Sequence, residues 1–90
     1  MYKLLYTTKF KKDLKKQRQN FELIGLVLKL LQQKGVLGIP QSMKPHKLKG
    51  NYKNCWECHI KPDLLIIWIQ IESPEEIRLI RIGSHSDLFG

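Results

Sequence analysis

The sequence predicts an α+β domain in which two N-terminal helices pack on one face of a mainly antiparallel sheet. Three observations support this prediction. Helical periodicity is confined to the first half of the chain, strand-like apolar runs occupy the second half, and short turns separate those runs. The 90 residues show no break in composition that would separate two cores, so we expect one domain spanning residues 1–90. The expected element order is β-α-α-β-β-β.

A short strand and a basic helix are expected at the start of the chain. Residues 2–6 alternate as a strand does, and Thr7 and Thr8 then supply a helix cap. The helix itself is expected from Lys9 to about Gln19. Because only two apolar residues line one side of it and lysines cover most of the rest, this helix should be exposed and strongly positive.

The second helix is expected at Phe21–Lys34, with Asn20 as its cap. Its apolar residues follow helical spacing over a wide stripe, so this helix should be largely buried. Gly35 is the expected stop, and residues 36–50 are expected to form a loop that contains His46.

Three strands are expected in the second half. A tight turn at residues 61–63 and another at 73–76 separate them, and the tail begins at Gly83. The strands are expected at residues 55–60, 64–71 and 77–82.

The charge is distributed unevenly along the chain. The formal net charge is +8, but residues 1–53 hold 13 basic and 2 acidic side chains, whereas residues 54–90 hold 3 basic and 6 acidic ones. An anionic partner such as nucleic acid fits this balance, because a basic half can grip phosphates independently of sequence. The alternative is a solvated lysine face without a specific partner.

The first residues reach a charged cluster after an apolar run that is too short for a signal peptide, and no stretch approaches membrane-spanning length. We therefore expect a cytoplasmic protein that has no membrane partner. In a reducing cytoplasm Cys55 and Cys58 would remain thiols.

The segment Cys55-Trp-Glu-Cys-His59 matches the pattern that attaches c-type haem. Haem attachment requires export, however, for which no signal is present. A zinc site is also disfavoured, because a strand sends Cys55 and Cys58 to opposite faces. We expect no cofactor and no metal, with Cys58 packed in the core.

Strand alternation places Glu57 and His59 on one face and Trp56 on the other. A carboxylate at this spacing can hold and tune an imidazole. Asp63 follows at the turn, where the alternative is an ordinary aspartate that hydrogen-bonds the backbone.

RNA cleavage by internal transfer needs a group that takes the proton of the ribose 2′-hydroxyl, one that protonates the departing 5′-oxygen, and positive charge near the phosphorane. The three histidines, His46, His59 and His85, suit the proton transfers. Arg81 suits the third role, unless it forms only a surface salt bridge with an acid such as Glu57.

Four ordered blocks make the pattern specific: His46-Lys-Leu-Lys-Gly50, Glu57-Cys-His-Ile-Lys-Pro-Asp63, the apolar run 64–71, and Arg81-Ile-Gly-Ser-His85-Ser-Asp-Leu-Phe89. Together they resemble the YafQ branch of the RelE toxin superfamily. The element order matches over the whole chain, and the specific motifs lie in the second half.

The resemblance implies a RelE-like fold and the toxin of a type II toxin–antitoxin system. Such a toxin is a ribosome-dependent endoribonuclease that cleaves mRNA in the A site, by attack of a 2′-hydroxyl on the adjacent phosphate. It also implies a cognate antitoxin as partner, with operator DNA bound only by the toxin–antitoxin complex.

The resemblance places the family's active-site positions on His46, Glu57, His59, Asp63, Arg81, His85 and Phe89. Our hypothesis for their roles has His85 as the acid, His46 or His59 as the group that removes the 2′ proton, and Asp63 as the residue that orients an imidazole. The hypothesis leaves Glu57 as either a base or an electrostatic partner of His59. The expected catalytic residues are His46, Glu57, His59, Asp63, Arg81 and His85. The expected RNA-binding residues are Phe89, Lys47, Lys49 and Lys53.

Two positions depart from the family pattern. Trp56 stands where the family often has arginine, and Leu64 replaces an aromatic residue found in some members. We expect Trp56 to pack on the sheet, with base stacking as the alternative. A second functional class also stays open, namely a non-catalytic nucleic-acid-binding protein that represses transcription with an antitoxin.

Overall fold

The computed structural model describes residues 1–90 and confirms the predicted α+β fold. Its elements are β1 (Lys3–Tyr6), α1 (Thr8–Lys15), α2 (Phe21–Lys34), β2 (His46–Lys47), β3 (Trp56–Lys61), β4 (Leu64–Glu72), β5 (Glu75–Gly83) and α3 (His85–Phe89). The strands form one sheet in the order β1-β5-β4-β3-β2, in which β1 is parallel to β5 and the other neighbours are antiparallel. The sheet is therefore mainly antiparallel, as predicted.

Helices α1 and α2 pack on one face of the sheet, which also confirms the prediction. Phe10 of α1 and Leu31 of α2 are completely buried in a cluster of 14 side chains that includes Trp68 and Cys58. Burying one large apolar side chain contributes about 1.5–3 kcal/mol, so this face supplies most of the hydrophobic stabilisation. None of the helices has the length and apolar character needed to cross a membrane.

The first helix is capped as predicted but is shorter than predicted. The Thr7 hydroxyl accepts a hydrogen bond from the Phe10 N–H at 3.2 Å. The helix ends at Lys15 instead of near Gln19, and a 3-10 turn at Arg18–Asn20 follows. A helix with a single buried residue has little tertiary packing to extend it.

Asn20 occupies the N-cap position of α2, as predicted, but its side chain makes no capping hydrogen bond. Its side chain is used in tertiary contacts: Oδ1 accepts from Lys61 Nζ at 2.8 Å, and Nδ2 donates to Gln17 at 3.1 Å. The bounds of α2 are as predicted. Its stop at Gly35 has a positive φ of 61°, which favours glycine.

Two short elements were not predicted. The expected loop 36–50 contains the two-residue strand β2, and the expected tail contains α3. Both are shorter than the windows over which periodicity can be recognised. The turn expected at 73–76 is also tighter, because β4 continues to Glu72 and β5 begins at Glu75.

Candidate active site

The sheet face opposite α1 and α2 holds most of the predicted site residues. Pairing of the strands places His46, Glu57 and Ile67 in one row across β2, β3 and β4, and Arg81 of β5 lies opposite Ile67. Residues paired across neighbouring strands point to the same face. Beneath them lies a small cluster of four buried side chains, Cys55, Leu65, Ile67 and Leu88.

A register shift in the β4–β5 pair brings Arg81 to this face. Leu79 pairs with Trp68 and Arg81 pairs with Ile67, so Ile80 has no partner on β4. An extra residue of this kind is a β-bulge, which redirects the side chains that follow it. Leu79 therefore stays in the core under the helices, while Ile80 packs against the smaller cluster.

The imidazole of His46 is held at both nitrogens. Nδ1 lies 2.8 Å from the carbonyl oxygen of Lys44, and Nε2 lies 3.2 Å from Oε1 of Glu57. A carbonyl only accepts hydrogen bonds, and so does an ionised carboxylate. Both contacts are satisfied together when His46 is an imidazolium beside an ionised Glu57, or when Glu57 holds the proton.

The carboxyl group of Glu57 is the buried centre of the site. The residue is 4% exposed, and its Oε1 lies between two imidazoles, 3.2 Å from Nε2 of His46 and 3.9 Å from Nε2 of His59. Its Oε2 is buried and has no hydrogen-bond partner. A buried polar atom without a partner is costly, so this position of Glu57 is not explained by stability.

A pocket of about 380 Å³ brings five of the predicted residues together. Imidazole side chains donate and accept protons near neutral pH, and a buried carboxylate can hold them in place. The arrangement therefore suits acid–base catalysis on a substrate bound between the histidines. The pocket is lined by His46, Leu48, Glu57, His59, His85 and Phe89.

His85 reaches this pocket because α3 is fixed at its start. Ser84 and Asp87 form a capping box, and hydrogen bonds from the Ser84 backbone and hydroxyl lower the pKa of Asp87. The backbone N–H of His85 donates to Oδ1 of Asp63 at 2.9 Å. Asp63 thus contacts the backbone of His85, whereas an imidazole contact was expected, and it lies outside the pocket lining.

Arg81 is paired with an acid, but with Asp13 of α1 instead of Glu57. Its Nε and Nη2 donate to the two Asp13 oxygens at 2.7 and 3.1 Å. These hydrogen bonds hold the pKa of Arg81 above its usual range. Asp13 also accepts a hydrogen bond from the Ile82 N–H at 3.1 Å. One carboxylate of α1 therefore bonds both the backbone of β5 and the Arg81 side chain.

Tyr52 is a site residue that the sequence analysis missed. Its hydroxyl lies 3.5 Å from Nη1 of Arg81, and its ring meets that of Phe89 edge to face at 5.6 Å between centroids. Phe89 in turn lies 5.0 Å from the His85 ring. Tyr52 therefore connects Arg81 to the aromatic side of the pocket. No motif marked it, whereas Asp13 was detectable as the one acid among the lysines of α1.

The predicted RNA-binding lysines do not lie in the pocket. Lys47 follows His46 on β2, and its amino group lies over the Trp56 ring, 5.4 Å from the centroid. Trp56 packs against the core under the helices, as expected. Lys49 and Lys53 are exposed on either side of the 3-10 turn that contains Tyr52.

The two cysteines occupy opposite sides of the sheet, as the strand pattern predicted. Cys58 is completely buried in the larger cluster, where burial and the nearby Glu57 charge raise its pKa to about 12. Cys55 lies in the smaller cluster, where burial also raises its pKa. Neither is a reactive thiolate, since the thiol form is favoured at both positions. The structure contains no group of three or more His, Cys, Asp or Glu side chains arranged to hold a metal ion.

Comparison with known proteins places this geometry in a family. Residues 2–90 match the family described as the YafQ bacterial toxin of type II toxin–antitoxin systems. The chain is 28% identical over 88 residues to the mRNA interferase toxin YafQ of Escherichia coli K12, with 94% of this chain and 92% of the relative covered.

Solved structures agree with this match. The toxin in the E. coli DinJ–YafQ complex has a TM-score of 0.85 at 26% identity, with 100% of both chains covered. A metal-bound toxin from Helicobacter pylori has a TM-score of 0.79 at 36% identity, with 99% of this chain and 100% of that chain covered. The predicted family and the predicted class of mRNA-cleaving toxin are thus confirmed, and the chain belongs to the YafQ family of bacterial toxins of type II toxin–antitoxin systems.

Proposed function

We propose that this toxin cleaves mRNA in the ribosomal A site by attack of a ribose 2′-hydroxyl on the adjacent phosphate. The observation that supports this most strongly is the buried carboxyl group of Glu57 between two imidazoles, with His85 in the same pocket. The reaction needs one group to remove a proton and another to supply one, and the pocket offers imidazoles for both.

His59 is the base in this proposal. Its Nδ1 lies 3.4 Å from the Pro62 carbonyl, a contact that favours a proton on Nδ1 and leaves Nε2 as the acceptor. His46 is less suited to remove a proton, because its Nε2 lies within hydrogen-bond distance of Oε1 of Glu57 at 3.2 Å, whereas Nε2 of His59 is 3.9 Å from that oxygen. As an imidazolium it instead supplies positive charge to the phosphorane. Glu57 holds that charge in place.

His85 is the acid. Its ring makes no hydrogen bond within the chain, so both nitrogens are available to the departing 5′-oxygen. Asp63 acts through the backbone of His85, and Phe89 stacks beside its ring or on a base. Arg81 is paired with Asp13 and supports the aromatic side of the pocket through Tyr52. Lys49 and Lys53 contact RNA phosphates outside the pocket.

Replacement of His85 tests the proposal directly. With ribosomes programmed with a defined mRNA, we expect His85→Ala to slow cleavage by about 10²–10⁴-fold while ribosome binding is retained. Gln33→Ala, at an exposed position on α2 outside the pocket, is the control and should cleave like the wild type. Assays on free RNA are unsuitable, because the ribosome positions the substrate.

Two results would contradict the proposal. Normal cleavage by His85→Ala would overturn the assignment of the acid. Intact ribosome-bound mRNA after incubation with the wild type would overturn the nuclease itself and favour a non-catalytic nucleic-acid-binding protein that acts as a repressor. Primer extension on mRNA from cells expressing the toxin should show in-frame cuts.

A cognate antitoxin is the proposed protein partner. The E. coli relative is solved in complex with DinJ, and the fold of this chain matches that toxin over its full length. We propose that operator DNA is bound only by the toxin–antitoxin complex. Gel-shift assays with operator DNA should therefore show a retarded band for the complex and none for the toxin alone.

A further inference from the structure

A second concave region lies beside the pocket, at the far end of β3. Strand β2 is two residues long and pairs with β3 only at Trp56 and Glu57, so the rest of β3 has no strand neighbour on that side. The 3-10 turn Gln41–Met43 packs near this open edge. Between the turn and the strand lies a groove of about 460 Å³, which we call the β3 groove.

Lys44 joins the wall of the β3 groove to the proposed active site. Its φ of 53° is in the left-handed region, which is uncommon for a residue other than glycine. This conformation turns the chain from the 3-10 turn toward β2, and the Lys44 carbonyl accepts from Nδ1 of His46 at 2.8 Å. The groove and the imidazole are therefore fixed by the same residue.

The lining of the β3 groove is chemically suited to a nucleotide. Lys44 and Lys61 both line it, and no carboxylate does. The amino group of Lys61 is held at 2.8 Å by Asn20, a neutral partner that leaves the positive charge free for a phosphate. Met43 and Pro62 add apolar surface for a base or a sugar.

The β3 groove and the pocket share one wall, His59. An RNA strand that is cleaved in the pocket must leave it on both sides of the reacting phosphate. His59 borders both spaces, whereas His85 lines the pocket alone. With His59 as base and His85 as acid, the groove lies on the side of the attacking ribose.

We propose that the β3 groove binds the nucleotide whose 2′-hydroxyl attacks, with Lys44 and Lys61 near its 5′-phosphate and Met43 against its base or sugar. This inference rests on the proposed nuclease function. It makes the groove a second nucleotide site next to the catalytic one, and it makes Lys61 a residue that affects RNA affinity through a phosphate.

An unreactive ligand tests the groove without requiring cleavage. The probe is a 2′-deoxy trinucleotide, which lacks the attacking hydroxyl, titrated into the full chain while the Met43 methyl signal is followed by NMR. We expect this signal to shift together with the Phe89 ring signals. Lys61→Gln should weaken binding about threefold to tenfold and lower the salt dependence of log Kd by about 0.7, as for loss of one phosphate contact. Lys29→Gln, an exposed lysine of α2, is the charge-matched control.

The outcomes separate the two proposals. A Met43 signal that stays unmoved, or equal affinities for Lys61→Gln and Lys29→Gln, would overturn the groove while ribosome-bound mRNA is still cleaved by the wild type. A shifting Met43 signal without wild-type cleavage on ribosomes would overturn the nuclease, and with it the assignment of the attacking nucleotide.

Discussion

The two faces of the sheet differ in what they bury. The face under α1 and α2 is closed over a cluster of 14 buried apolar side chains, whereas the opposite face has a cluster of only four and leaves a pocket above them. On that second face Glu57 is buried with an oxygen that has no partner. Stability therefore comes mainly from one face and chemistry from the other. Substitutions on the first face should change the free energy of unfolding, and those on the second should change the reaction.

The largest loss of stability is expected on the helix face. Phe10→Ala removes a completely buried ring from the larger cluster and should lower the free energy of unfolding by about 3–5 kcal/mol. Urea denaturation of the variant and the wild type measures this difference in the free energy of unfolding. Leu26→Ala, at a position that is 60% exposed on α2, is the control and should change stability little. If Phe10→Ala lowers the free energy of unfolding no more than Leu26→Ala does, the cluster under α1 and α2 is not the main source of stability.

A smaller effect is expected where the two faces are joined. Asp13→Ala removes the carboxylate that bonds both Arg81 and the Ile82 N–H, and it should lower the free energy of unfolding by about 1.5–3 kcal/mol. Cleavage should also slow, because Arg81 loses the group that orients it. Glu22→Ala removes the same charge from an exposed position on α2. If both variants behave alike, net charge and not the Arg81 contact explains the effect.

The smallest effect on stability, with a clear effect on activity, is expected for Glu57→Gln. The amide keeps the size of the carboxyl group and an oxygen that can accept from His46, so the free energy of unfolding should fall by less than about 1.5 kcal/mol. Cleavage should slow, because His46 loses the ionised partner that holds its charge. A decrease in the free energy of unfolding of more than about 1.5 kcal/mol would mean that the main role of Glu57 is to stabilise the fold.

Much of the fold was readable in the sequence because periodicity is a local signal. Helix α2 and the three long strands could be predicted because each contains a run of apolar residues that are buried on one face or on both faces of the element. β2 and α3 were missed because His46–Lys47 is a strand only through its pairing with β3, and α3 begins where the His85 N–H contacts Asp63. Such short elements are stabilised by contacts with other elements, which periodicity along the chain does not reveal.

The site was predicted in part for a related reason. Alternation along β3 correctly placed Glu57 with His59 and separated Cys55 from Cys58. The partner of Arg81 was missed, because Asp13 lies 68 residues away and only the β5 bulge and the position of α1 bring the two together. The catalytic roles of the predicted residues await the substitutions described above.

The parallel pairing of β1 with β5 also has a consequence for the order of assembly. The first strand of the chain completes its hydrogen bonds only with the last strand, as in the pair Lys3 and Glu76. During synthesis β1 must therefore wait until β5 has been made, and Arg81 lies in β5 with His85 directly after it. Such long-range pairing forms late because the connecting chain must first lose its freedom. A chain made only as far as β4 thus has neither a complete sheet nor a complete site, so it becomes a potential nuclease only after β5 and α3 have been made.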